Sequence, residues 1–121
     1  MLLIKDIVKE LTFDNQLELA QELIMEISKQ EIDVTKIKSE FIKLEKDCKP
    51  LKRCFVKGLK RIIFGFLIYE GFRVNYLPKK IQTSIIRKLK SINSVDDILT
   101  IRSVELRDYL TGVYLAKKVG N

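Results

Sequence analysis

The chain has 121 residues and no histidine, and its 23 bases outnumber 16 acids to leave a net charge of +7. Without an imidazole there is no Ser-His or Cys-His nucleophile pair, no histidine base and no histidine metal ligand. A composition 46% hydrophobic and 32% charged is that of a folded chain, and five glycines and two prolines leave room for long regular elements. The length predicts one helical domain over residues 1–121.

Residues 2–11 place Leu3, Ile4, Ile7, Val8 and Leu11 at i, i+3/4 and i+7, the stripe of an amphipathic helix. Charges are interleaved with these apolar residues, so the stretch does not read as a signal peptide. Thr12 or Asp14 is expected to cap a second helix over 15–30, with Leu17, Ala20, Leu23, Ile24 and Ile27 inward. Glu18, Glu22 and Glu26 form an acidic ridge on its outer face, read as solvated rather than metal-binding. A third helix, 34–47, follows a cap at Asp33 or Thr35 and runs its stripe through Ile37, Phe41, Leu44 and Cys48.

Pro50 suits the first turn of a new helix, predicted over 51–70 and closed by Gly71 as a C′ glycine. Its first two turns are amphipathic, with Lys49, Arg53, Lys57 and Lys60 on one face. Residues 62–69 are apolar all round, which predicts burial. Gly58 and Gly65 cost about 1 kcal/mol each inside a helix, which points to close approach by a neighbour or to a kink. Pro78 opens a fifth helix over 79–92, with Ile81, Ile85, Leu89 and Ile92 inward. Ser94 and Asp97 make an Asp variant of the capping box ahead of a last helical region, 95–118, as one helix or two divided near Arg102. The expected fold is therefore all-α: a compact bundle of five or six helices around a central apolar helix at about 51–70.

The longest uncharged run, residues 62–69, is far short of the roughly 20 that a membrane span needs. The expectation is a soluble, cytoplasmic protein whose two cysteines, Cys48 and Cys54, lie on different helix faces and stay unbridged. No metal site and no cofactor is expected. The five glycines compose neither a P-loop nor a dinucleotide fingerprint. An enzyme is not expected.

Charge carries the functional signal. Residues 48–92 hold twelve bases and one acid, Glu70, whereas residues 1–47 hold seven bases and eleven acids. A surface of this kind neutralises phosphates and binds nucleic acid in a salt-dependent, largely sequence-independent way. The candidate contacts are Lys52, Arg53, Lys57, Lys60, Arg61, Arg73, Lys79, Lys80, Arg87 and Lys88, and the partner is DNA or RNA. Of the aromatics in the same region, Phe64 and Phe66 read as core, while Phe72 and Tyr76 are the candidate base-stacking platforms. A helix-turn-helix is disfavoured, because the connection into the fifth helix is long and that helix lacks base-reading Asn and Gln. The alternative is a protein-interaction or assembly subunit, a homodimer or part of a larger complex. The acidic first third and basic middle are complementary in sign, within one chain or head-to-tail between copies.

Overall fold

The computed structural model describes residues 4, 9–12, 14–74, 77–88 and 91–120. Six helices occur among them: α1 (Gln16–Ser28), α2 (Val34–Asp47), α3 (Pro50–Tyr69), α4 (Lys79–Lys88), α5 (Val95–Leu99) and α6 (Val104–Gly120). No described residue is in a strand, and the architecture is all-α as expected. The helix expected over 2–11 falls mostly outside the described residues, although Ile4 and Leu11 from its stripe are buried. The chain divides into two compact units, Met1–Lys60 and Arg61–Asn121. α3 runs through the division and supplies core to each.

In the first unit, α1 buries Leu19, Ala20, Leu23 and Ile24. Leu17 was expected inward but is 48% exposed. Successive helical residues are 100° apart, and the buried arc is turned so that Leu19 takes the first-turn place expected for Leu17. The expected caps are corrected too: Asn15, not Thr12 or Asp14, occupies the N-cap position. Its amide turns backward, accepting from the Thr12 N–H at 2.6 Å and donating to the Glu10 carbonyl at 2.6 Å, which fixes the turn before the helix. α2 starts as expected, its Asp33 carboxylate accepting from the Lys36 N–H at 3.1 Å. Ile37 and Phe41 are buried, while Leu44 and Cys48 are half-buried.

α3 begins on Pro50, whose missing N–H costs nothing in a first turn. The Gln16 side chain donates to the Phe55 carbonyl at 3.0 Å and lies over Gly58, where a Cβ would stand 2.5 Å from its Nε2. Val56 and Leu59 complete this part of the core.

The second unit opens with the all-apolar run, and residues 62–67 are buried on every side. Each of the five large side chains, Ile62, Ile63, Phe64, Phe66 and Leu67, contributes about 1.5–3 kcal/mol on leaving water. α3 then ends in a Schellman motif. The Phe72 N–H bonds the Leu67 carbonyl at 3.0 Å, the Gly71 N–H bonds the Ile68 carbonyl at 3.0 Å, and Gly71 has φ 95°. α6 crosses α3 backbone to backbone. A Cβ on Gly65 would collide with the Tyr109 carbonyl, and a Cβ on Gly112 with the Ile62 carbonyl. Close approach, one of the two explanations open for Gly65, is therefore the one observed.

α4 and α5 also pack on α6. Ile92, Ile98, Ile101 and Leu110 form a core cluster there, flanked by Leu106 and Tyr114. The region 95–118 resolves into two helices. Asp97 closes the box predicted with Ser94, its carboxylate accepting from the Asn93 and Ser94 N–H groups at 2.9 and 3.1 Å. Arg107 holds the break between α5 and α6, donating twice to the Ile101 carbonyl at 3.1 and 2.9 Å. Lys117 donates to the Ile92 carbonyl at 2.8 Å.

Candidate nucleic-acid interface

The ten candidate bases fall into two groups. Four are engaged within the chain. Lys52 donates to the Lys9 carbonyl at 2.9 Å. Arg53 reaches back to the end of α2, donating to the Glu45 carbonyl at 2.9 Å and the Cys48 carbonyl at 3.5 Å. These two oxygens lie at the terminus whose carbonyls lack intrahelical partners, and the dipole there favours a cation. Lys60 pairs with the Glu45 carboxylate at 2.7 Å, both side chains mostly covered. Arg61 pairs with Asp108 at 3.3 Å.

The other six, Lys57, Arg73, Lys79, Lys80, Arg87 and Lys88, form no ion pair with any described residue. All are exposed except Lys88, which is intermediate. Lys57 belongs to the first unit and the remaining five to the second.

Four of those five are on α4, and its local construction explains their exposure. Leu77 is buried just before the helix, and the Pro78 carbonyl accepts from the Ile81 and Gln82 N–H groups at 3.0 and 3.1 Å to start the first turn. Ile85 is the one fully buried described residue of the helix. At 100° per residue, Lys79, Thr83, Arg87 and Lys80 then share a continuous outer arc, with Ile86 at one edge and Ser84 at the other; Lys88 falls about 60° from Ile85, on the inner half of the helix, in keeping with its partial exposure. The Thr83 and Ser84 hydroxyls donate to the Lys79 and Lys80 carbonyls, both at 3.0 Å, so they serve the helix itself.

α4 contains no acid. Its first turn carries Lys79 and Lys80 where the macrodipole is positive, an arrangement that costs about 0.3–1 kcal/mol per charge and that a bound anion would relieve. The second unit as a whole has eleven bases and five acids, whereas the first has twelve and eleven. The excess charge thus resides in the unit that carries α4.

The groups with displaced ionisation lie elsewhere. Burial raises the Asp108 carboxyl pKa, and the adjacent Arg61 offsets part of that. Burial, with Glu105 nearby, pushes the Tyr109 phenol up to about 12. Backbone N–H groups of Asn93 and Ser94 hold the Asp97 carboxylate below the ordinary range. Each has a structural cause, and none is on the outer arc of α4.

Among the aromatics, Phe64 and Phe66 are buried as read from the sequence. Phe72 is half-buried beside the exposed Arg73, whereas Tyr76 lies outside the described residues. No helix among the described residues is long and apolar enough to cross a membrane. Sequence reasoning missed the division between engaged and exposed bases. Glu45 and Asp108 are 15 and 47 residues from the bases they pair with, so no local pattern signals either pair. No family model matches the chain, and no curated protein or solved structure matches it.

Proposed function

We propose that the protein is a non-enzymatic nucleic-acid-binding protein that holds the phosphate backbone on the outer arc of α4. Lys79, Lys80 and Arg87 on the arc are the principal contacts, with the partly exposed Lys88 beside it and Arg73 before the helix as a fourth and fifth, and Lys57 as an exposed base of the first unit. The observation that carries this reading is the acid-free, cationic, solvent-facing arc of α4. Lysines and arginines presented in this way contact phosphate oxygens, and such contacts give affinity with little sequence preference. Lys52, Arg53, Lys60 and Arg61 are assigned to holding the fold.

Binding to labelled DNA and RNA, single- and double-stranded, across a salt series tests the reading. Five phosphate contacts on duplex DNA give a log–log salt slope of about −4 to −5. Lys80→Glu with Arg87→Glu should make that slope shallower by about 2 and weaken binding at every salt concentration, with helix content retained. Arg61→Gln, which removes an engaged base, should lower stability and leave the slope unchanged. No binding at low salt, or an equal loss in both variants, would overturn the assignment.

A further inference from the structure

Two of the exposed helix faces are complementary in chemistry. α1 presents a strip in which two exposed apolar residues, Leu17 and Met25 at 48% and 44%, flank the polar Gln21 at i, i+4 and i+8 and span about 80° of the helix. Glu18 and Glu22 border that strip and are exposed, and Glu26, paired with Lys29 at 3.4 Å, extends the acidic edge. α4 presents the counterpart: Ile86, 56% exposed, at the edge of an arc carrying Lys79, Arg87 and Lys80. Each face combines an apolar edge with a row of one charge, and the charges are opposite.

We propose that the chain self-associates by seating the α4 face of one copy on the α1 face of a second. Ile86 would lie against Leu17 and Met25 while Lys80 and Arg87 meet Glu18 and Glu22. The opposed charges supply much of the attraction, fix register and exclude like-with-like pairing, while the small apolar contact adds to them. The exposed pair Val95 and Leu99 on α5 is a poorer seat. α5 has five residues, and one of its two acids, Asp97, is already held by backbone N–H groups. The inference is independent of phosphate contact, although both use α4.

Charge exchange tests it, with mass measured by light scattering and sedimentation over a concentration series at low and high salt. The unmodified chain should associate at low salt and dissociate as salt rises. Glu18→Lys with Glu22→Lys should weaken association at least tenfold, and so should Lys80→Glu with Arg87→Glu. An equimolar mixture of the two double variants should associate again, because each supplies the face the other has lost. A chain that is monomeric at every concentration, or a mixture that fails to recover, overturns the proposal. Nucleic-acid binding by the same proteins keeps the two ideas apart. The α1 variant should lose self-association and retain nucleic-acid binding, whereas the α4 variant should lose both. Recovery in the mixture without nucleic-acid binding by the unmodified chain would support the assembly and sink the phosphate reading alone.

Discussion

Glu45 engages two bases at once, its carbonyl taking Arg53 and its carboxylate taking Lys60. The ion pair is mostly covered, so it is worth more than a surface pair and less than a fully buried one. Glu45→Gln should therefore cost about 1–2 kcal/mol in a urea melt, and a slope of nucleic-acid binding that moved with it would contradict the division of bases drawn above. Asp97 makes a prediction in pH. Its carboxylate is held below 3.8 in the folded chain, so the stability it contributes is complete above that value and is lost as pH falls through the lower folded one. The difference in Tm between the unmodified chain and Asp97→Ala should be open near neutrality and narrow on acidification. Tyr109 has the opposite sign. Its phenol is raised from 10.0 to about 12, so its contribution is whole below 10 and is lost as pH climbs through that window. Tyr109→Phe should flatten this alkaline loss in a series of thermal melts.

At the scale of elements, the three glycines in and just after α3 do different things. Gly65 lies under the Tyr109 carbonyl, where neither backbone can yield, and Gly65→Ala should cost about 3 kcal/mol or more. Gly71 has open space around it but a φ of 95°, so Gly71→Ala should cost about 1–2 kcal/mol through backbone strain. Gly58→Ala meets only the movable end of Gln16. A helix-propensity gain of up to about 1 kcal/mol against a lost hydrogen bond of similar size makes it close to neutral. Denaturant midpoints for the three variants test that order.

The elements themselves were largely legible. Asp33, Pro50, Gly71 and the Ser94–Asp97 pair mark their boundaries by local chemistry that a sequence displays, and residues 62–67 announce burial by having no polar face. The cost of Gly65 was visible as well, but its partner Gly112 lies 47 residues away and no periodicity points to it. The exposure of Leu17 was hidden for a related reason. An apolar arc on a helical wheel says which residues share a side, not where along its edge the neighbouring helix ends. Of the candidate interface, the charge block was plain, whereas which bases α2 and α6 would engage depends on tertiary contact alone.

For the whole molecule, charge and continuity are distributed differently. The excess of bases belongs to residues 61–121, yet the division at Lys60 falls inside α3 rather than in a linker. A helix cooperates along its length, so disturbing it at that point costs both units their core side chains. Among the described bases, limited trypsin digestion followed by mass spectrometry should find early cuts at Lys29, Arg73 and Arg102, exposed in non-helical segments, before Lys60 or Arg61. Early cleavage at the division would show that α3 opens there on its own. The shared helix also bears on ancestry. A protein whose units are joined by a loop can exchange one of them by recombination, but a crossover here would leave half a helix on either side, so the units must be inherited together.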